Sequence, residues 1–458
     1  MEKCITEYYR CPEQPISTPS EKGCGRRGYF KFGEYTLYGQ IQGGQTATSP
    51  SHALKDVSSQ CSEKSGEVRL PFDLTEVVNN LRYEVYPDSS ADWHPASSLL
   101  GRAYYFVRPL LPVGLRRHLQ KLRLNDWRRL RFPHWPVDRT VDALHAKVLL
   151  MSLRAARVQE VPFIWFWPDG ARSCAILTHD VETTAGRDFC PTLMDIDDHF
   201  GFKASFQIVP QNRYDVLESH LQGIRDRGFE VNVQDLNHDG HLFRDRKEFL
   251  TRAVKIEHYR KQYKAEGFRS AILYRRQEWY DCLKFSYDMS VPNVAHLDPQ
   301  RGGCCTVMPY FIGNLVELPV TTTQDYSLFH ILEEHSIELW KQQIDLIQDK
   351  HGLMNFIIHP DYIIGQHEQA TYKDLLSYLA QLVTKNNIWM PLPREVASWW
   401  RDRASMRLVE VNGRWQIEGT GSERARIAYA SEKDGQLSYS FQSLTERTEV
   451  GILTSRPH

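Results

Sequence analysis

The feature that most constrains this chain is a short apolar run that ends in a cluster of ionisable side chains. Residues 174–177, Cys-Ala-Ile-Leu, predict a buried strand, and Thr-His-Asp-Val-Glu follows at once. In α/β folds, reactive groups collect where parallel strands end and loops begin. This stretch is therefore a candidate site at the carboxyl end of a strand.

The spacing of the two acids in this stretch carries further information. If the extended conformation continues past residue 177, Asp180 and Glu182 point to the same side, because side chains repeat every second residue. Two carboxylates on one side repel each other unless a cation or a proton joins them. The alternative interpretation is a helix N-terminus with an acidic first turn.

Strand-like and helix-like stretches alternate from about residue 161, which is typical of α/β architecture. The predicted strands are 175–177, 204–209, 229–233, 271–273, 306–320 and 353–358, and the predicted helices are 187–200, 214–227, 245–266, 276–285, 330–350 and 371–386. Glycines at 201, 228, 267 and 352 follow these helices, as helix C-caps do. A (β/α) barrel is the favoured closure, with an open doubly wound sheet as the alternative. No glycine-rich phosphate loop opens a helix, so a nucleotide is not indicated.

The remaining segments divide the chain of 458 residues into four predicted parts. Residues 1–66 are irregular apart from a possible hairpin at 28–39, and residues 67–160 form a helical or irregular arm. The barrel spans 161–400, and 401–458 form a small antiparallel β tail with hairpin turns at Asn412-Gly413 and Asp434-Gly435.

Basic clusters in the arm, at 115–124 and 127–131, suggest either a nucleic-acid or membrane surface or a helix laid on the next domain, which we favour. The net charge of -1 indicates neither nucleic acid nor a membrane surface as a partner. No apolar run approaches the length of a membrane span, and the first residues lack a signal-peptide pattern, so we expect a cytoplasmic protein.

Further polar clusters lie in the predicted barrel. His238 and His241 follow the apolar run at 229–233 and are candidate metal ligands, although either could instead hold a loop by hydrogen bonds. Arg269 stands where it could pair with Asp180 and keep it ionised. His359 ends an apolar strand and precedes a proline, which indicates an extended backbone with the ring at the barrel mouth.

The order of these motifs resembles the polysaccharide deacetylase superfamily, whose domain is also called NodB-homology or family-4 carbohydrate esterase. The matching motifs are Thr-His-Asp-Val-Glu, Asn-His-Asp-Gly, Gly-Phe-Arg-Ser, Tyr-Asp-Met-Ser and Ile-His-Pro-Asp-Tyr, across roughly residues 165–400. The resemblance implies an irregular seven-stranded (β/α) barrel that binds a divalent metal, usually zinc, and removes an N-acyl, typically N-acetyl, group from an amino sugar.

The resemblance also implies roles for individual residues. Asp180 would be the general base, Arg269 would orient it, and His359 would be the general acid. Glu182 and His238 would hold the metal. The same motifs supply candidate substrate contacts, which are His179, Asp288, Ser290, Asp361 and Tyr362. For Asp288 and Ser290, a turn held by their own hydrogen bonds is an equally simple interpretation.

One departure from the family pattern concerns the metal. The family places two histidines four residues apart, but Gln234 stands four residues before His238. An amide is a poorer zinc ligand than imidazole. Three alternatives stay open: Gln234 binds weakly and the site favours another ion such as manganese or cobalt, His241 takes its place, or the site holds no metal. The sequence thus leaves three functions open: metal-dependent sugar deacetylation, hydrolysis of a non-sugar C–N bond, and a catalytically silent glycan-binding or scaffold role.

Overall fold

A computed structural model of the chain describes residues 3–14, 16–17, 26–64, 66–87, 124 and 126–443. Most of the basic cluster predicted at 115–124 lies outside these residues. The chain forms two compact units: the first comprises 1–82, 140–171 and 399–458, and the second comprises 83–139 and 172–398. The four consecutive parts expected from the sequence stay a prediction. In the described ranges, no helix combines the length and apolar character that crossing a bilayer requires.

The secondary structure of the described residues is mixed. The strands are β1 (Ile16–Ser17), β2 (Gly28–Phe32), β3 (Tyr35–Gly39), β4 (Ser62–Lys64), β5 (Glu67–Arg69), β6 (Glu160–Ile164), β7 (Ser173–Val181), β8 (Ala204–Ile208), β9 (Glu230–Gln234), β10 (Gly267–Arg269), β11 (Tyr287–Asp288), β12 (Tyr310–Ile312), β13 (Leu315–Glu317), β14 (Leu353–Ile358), β15 (Ile388–Trp389), β16 (Arg407–Val411), β17 (Arg414–Glu418), β18 (Ile427–Lys433) and β19 (Gln436–Ser440). The helices are α1 (Lys3–Tyr9), α2 (Leu74–Arg82), α3 (Thr140–Ala156), α4 (Thr184–His199), α5 (Glu218–Asp226), α6 (Arg246–Gln262), α7 (Glu338–Gln348), α8 (Gln366–Asn386) and α9 (Pro393–Ser405).

The first unit is built from α3 and small sheets, all of them antiparallel among the described residues except for the parallel pairing of β1 with β5. β2 pairs with β3, β16 with β17, and β18 with both β19 and β6. The predicted hairpins are therefore confirmed, and the Asn412-Gly413 and Asp434-Gly435 turns have the positive φ angles that two-residue hairpin loops need. α3 packs its apolar side against β3, β4, β5, β18 and β19.

The second unit is organised by one curled, mostly parallel sheet. Its strand order is β12-β13-β11-β10-β9-β8-β7-β14, and β15 adds to the start of β7. Only β12 runs antiparallel to its neighbour. All nine residues of β7 and all six of β14 are buried, which explains why these strands read as apolar runs: a parallel strand is covered on both faces.

Side chains connect β14, at one end of this sheet, with the segment that follows β13 near the other end. Asn355 of β14 donates from its backbone amide to Oγ1 of Thr321 at 2.9 Å and from its side chain to the carbonyl of Leu318 at 3.0 Å. Thr321 and Thr322 in turn donate to the carbonyls of Leu353 and Asn355 at 2.7 and 2.8 Å. The segment after β13 is thereby held beside β14, so the carboxyl ends of the strands face one region.

Several predicted elements differ in detail. Residues 271–273 form a 3₁₀ turn with Ile272 at φ +61°, and the strand lies just before it, in β10. Residues 306–320 contain only β12 and β13, because a turn at Gly313 (φ +58°) breaks the apolar run. The predicted helix at 276–285 is a 3₁₀ turn, and the one at 330–350 divides into a π-helical turn and α7.

The glycines expected as helix caps also divide. Gly201 and Gly228 have φ near +76° and +79° after their helices, as predicted. Gly267 instead opens β10, where an added Cβ would lie 2.3 Å from the ring of Tyr287. His351, at φ +57°, takes the left-handed position that Gly352 was expected to occupy.

Glu230 belongs to a buried network at the start of β9. The hydroxyl of Tyr287 donates to its carboxylate and accepts from Nδ2 of Asn232 at 2.7 Å. Burial raises the pKa of Glu230 to about 7, although the Tyr287 hydrogen bond and Arg394 oppose the shift. The folded protein therefore holds this proton more tightly than the unfolded chain does.

We expect Glu230→Gln to make stability less dependent on pH. The pKa of the Glu230 carboxyl is about 7 in the folded protein and 4.5 in the unfolded chain. The stability that the protonated carboxyl contributes is therefore fully present below pH 4.5 and is lost as the pH rises through about 7. At pH 8 the variant should exceed the wild type by up to about 3 kcal/mol, and at pH 4.5 the difference should vanish. Urea unfolding at pH 4.5 and pH 8 measures the free energy of unfolding of the wild type, Glu230→Gln and the control Glu410→Gln, which changes an exposed residue. If this free energy depends equally on pH in all three proteins, the prediction is contradicted.

Candidate active site

Four strand ends bring the predicted ionisable residues together. Asp180 lies near the end of β7 and Glu182 just after it, while Gln234 ends β9 and Arg269 ends β10. His359 follows β14, the neighbour of β7. The acidic-first-turn interpretation does not hold, because α4 begins only at Thr184, with Thr183 as its cap.

Arg269 lies beside the carboxylate of Asp180. Its Nη1 is 3.6 Å from Oδ2 of Asp180, and its Nη2 donates to Oγ1 of Thr178 at 3.0 Å. The arginine is fully buried and Asp180 is only 3% exposed. A buried guanidinium at this distance favours the charged form of the carboxylate and fixes its direction.

Gln234 joins the two carboxylates. Its Nε2 donates to Oδ2 of Asp180 at 3.2 Å and to Oε1 of Glu182 at 3.3 Å. Its own Oε1 and the Oδ1 of Asp180 are buried and have no hydrogen-bond partner among the described residues. The amide thus offsets part of the repulsion that the spacing of the two acids creates.

His238 meets Glu182 on the other side. Its Nε2 lies 2.7 Å from Oε1 of Glu182, but the pair lacks hydrogen-bond geometry in the described structure. Burial lowers the pKa of His238, and the Glu182 carboxylate outweighs burial and raises it overall. Burial acts to raise the pKa of Glu182, but His238 and then His359 hold it well below its usual value. Glu182 is therefore a carboxylate at neutral pH.

Asp325 is a site residue that the motifs did not single out. Its Oδ1 accepts a hydrogen bond from Nδ1 of His359 at 2.6 Å, and its Oδ2 accepts from the His359 backbone amide at 2.7 Å. Nε2 of the same ring points toward Glu182, 3.6 Å from its Oε1. The only signal in the sequence is an acid at the end of a Thr-rich stretch, 34 residues before the histidine.

The environments of Asp180 and His359 suit them to opposite proton transfers. Burial raises the pKa of Asp180 above its usual value, and Arg269 and His359 offset only part of this. Burial lowers the pKa of His359, but Asp325 and Glu182 reverse that and hold it well above its usual value. A carboxylate with raised proton affinity can accept a proton, and a protonated imidazole can donate one.

The structure places the other predicted site residues around this centre rather than in it. His179 is buried on the opposite side of β7, with Nε2 2.9 Å from Oδ2 of Asp197. Asp288 and Ser290 are buried and bond each other, with Ser290 Oγ donating to Asp288 Oδ1 at 2.9 Å. His241 contacts Asp239, with its Nδ1 3.7 Å from Oδ2.

The final motif supplies one neighbour and one tether. The ring of Tyr362 lies 4.9 Å from that of His359 and is half-buried. Asp361 accepts from the backbone amide of Glu182 at 3.3 Å and from the hydroxyl of Thr183. Asp361 therefore ties the segment after β14 to the segment after β7.

The metal that the resemblance implies can be tested on the polar atoms present. No cluster of three His, Cys, Asp or Glu side chains in the described ranges has the arrangement of a metal site. Two donors, Glu182 and His238, nevertheless converge, and His238 Nε2 and Gln234 Oε1 are buried without hydrogen-bond partners there. Glu182 and His238 therefore fit a divalent ion as two strong ligands, whereas Gln234 turns its amide nitrogen toward Glu182, so its oxygen would reach the ion only after the amide turned over.

Comparisons with known proteins give matches only among solved structures. No family model matches the chain, and no curated protein matches it. The chain is similar to a Mycobacterium smegmatis structure assigned as a polysaccharide deacetylase, with 18% identity over 52% of this chain and 93% of that one, and a TM-score of 0.44. A Pseudomonas aeruginosa structure with the same assignment has 11% identity, coverages of 51% and 93%, and a TM-score of 0.41.

A third match carries a different activity in its name. PuuE allantoinase has 11% identity, covers 51% of this chain and 92% of its own, and has a TM-score of 0.40. The solved structures that this chain is similar to thus include two that are named as polysaccharide deacetylases.

We expect Gln234→His to raise zinc affinity at least tenfold, because imidazole is a far better zinc ligand than an amide. Calorimetric titration of zinc into the purified, metal-stripped variant and wild type measures the change. Adding His238→Ala to the variant should remove the gain. Unchanged affinity in Gln234→His would show that these side chains do not face a common ion.

Proposed function

We propose that this site hydrolyses the N-acyl, typically N-acetyl, group of an amino sugar or a polysaccharide intermediate. The observation that supports it best is the pair of opposed proton carriers, Asp180 and His359, on either side of Glu182. A binding site has no need of a base, a base-orienting arginine and an acid held by its own carboxylate. The motif resemblance supplies the substrate class.

The chain's own residues account for the proton transfers. Asp180 takes a proton from water as the oxygen adds to the acyl carbon. His359 gives the proton on Nε2 to the nitrogen as the C–N bond breaks, so the products are a carboxylic acid and a free amine. Asp325 holds the ring through Nδ1, and Arg269 holds Asp180.

The proposal includes a divalent ion, zinc first and manganese or cobalt as alternatives. Glu182 and His238 would hold it, and Gln234 would join them only with its amide turned so that the oxygen faces the ion. When bound, such an ion supplies an acidified water and a polarised carbonyl. The amide makes this a low-affinity site, so activity should depend on added metal.

We also propose that the curled sheet is the seven-stranded barrel of the superfamily. Seven parallel strands that follow one another in the sheet support this, namely β14, β7, β8, β9, β10, β11 and β13, while the short β15 adds in parallel to the start of β7. The N-terminal arm, the separate tail and a cytoplasmic location belong to the same proposal.

A second candidate function is a catalytically silent glycan-binding or scaffold role. The observation that favours it is the Gln234 amide, which donates to both carboxylates and so offsets their charge without an ion. A non-sugar amide remains the alternative substrate if the site is active. Metal content and acyl release separate these cases.

The test is release of acetate from N-acetylglucosamine oligosaccharides by the full-length protein with added zinc, cobalt or manganese. We expect Asp180→Asn and His359→Gln each to lower kcat by about 10²–10⁴-fold, because each removes one proton transfer. Exposed His258→Gln serves as the control and should retain the wild-type rate. Bound sugar without acetate release under every metal would favour the silent role.

A further inference from the structure

The turn that carries His238 is held by side chains. Its backbone takes the left-handed region three times, with φ +51° at Asp235, +55° at His238 and +74° at Gly240. Such angles are costly for residues other than glycine and persist only where the surroundings enforce them. The Asp239 amide donates to Oδ1 of Asn237 at 3.3 Å, and the His241 amide to Oδ1 of Asp239 at 2.8 Å.

One guanidinium from the neighbouring helix closes this turn. Nη1 of Arg252, in α6, donates to Oδ1 of Asn237 at 3.3 Å and to Oδ1 of Asp239 at 2.7 Å. Its Nη2 donates to Oδ2 of Asp239 at 2.8 Å and to Oε1 of Glu248 at 2.6 Å. The two residues that Arg252 holds are the immediate chain neighbours of His238.

The charges around Arg252 make this contact a strong one. Its side chain is 13% exposed and Asp239 is 30% exposed, so water screens the pair only in part. A fork with two parallel N–H bonds also fixes direction, which a lysine in its place would not do.

We infer that Arg252 is the positioning residue for His238. By holding Asn237 and Asp239 from α6, it fixes the left-handed backbone of His238 and aims Nε2 at Glu182. The role rests on the proposed function, because His238 has a task there only if it contributes to the site. Nothing in the motif resemblance points to Arg252, which lies outside all five matching stretches.

The same helix offers a matched control. Arg260 also makes a two-point ion pair, with Nε and Nη2 at 2.6 and 2.9 Å from the carboxylate of Glu257. It contacts no residue of the His238 turn in the described structure. Arg260→Gln thus removes an equivalent surface ion pair from α6 without touching the turn.

The test compares full-length wild type, Arg252→Gln and Arg260→Gln, each with and without Gln234→His. Cobalt(II) titration followed by its visible absorption measures ion binding, and hydrogen exchange measures opening of residues 236–241. Arg252→Gln should weaken cobalt binding about tenfold or more, as loss of a ligand-orienting partner does, and should speed exchange in the turn. Arg260→Gln should change neither.

The two readouts separate this inference from the proposed function. Wild-type cobalt affinity in Arg252→Gln would overturn the inference and leave the function standing. If even the proteins that carry Gln234→His bind no cobalt, the metal-dependent function fails. Hydrogen exchange then tests the inference by itself, and an unchanged exchange rate in the turn of Arg252→Gln overturns it. Where Arg252→Gln fails to fold, Arg252→Lys replaces it, because a lysine keeps the positive charge beside Asp239 and Glu248 but cannot make the two parallel N–H bonds; it should weaken cobalt binding and speed exchange in the turn, and wild-type values of both would overturn the inference.

Discussion

The candidate site depends on the cost of holding Asp180 and Glu182 together away from water. Unscreened, two carboxylates in such a place would drive one of them to take up a proton. Three groups offset this cost: the Arg269 guanidinium beside Asp180, the Gln234 amide that donates to both acids, and the His238 ring beside Glu182. The proton affinities of the whole centre follow from this arrangement.

The sequence predicts the parts of this centre that lie in or directly after a strand. The positions of Asp180, Glu182 and His359 could be predicted because an apolar run indicates each strand. The end of that run indicates that the following side chains lie at the carboxyl end of the strand. The same reasoning found the strands β7, β8, β9 and β14, whereas their order in the sheet comes from the structure. Strands of two or three residues escaped it, since β10 and β11 are too short to show a period.

Partners that reach the site across the fold could not be read from the chain. Asp325 precedes His359 by 34 residues, and only the packing of the segment after β13 beside β14 brings them together. Arg252 looks like an ordinary helix arginine with an acid four residues before it. The role of Gln234 was the most difficult to predict. Its residue type indicates a weak metal ligand, whereas in the structure its amide donates hydrogen bonds to Asp180 and Glu182.

The side-chain closure between the β13 segment and β14 has a mechanical consequence. Elsewhere the sheet is joined by backbone ladders, whereas here two threonines and one asparagine make the join. Asp325 lies three residues beyond Thr322, and His359 lies four residues beyond Asn355. The two residues therefore lie just past this join, one on each of the segments that it connects. Asp361 then fastens the His359 side to the loop of Glu182. His359 thus lies beside a join made by side chains and is tethered to the loop of Glu182, so the contact between Asp325 and His359 depends on residues that touch neither of them.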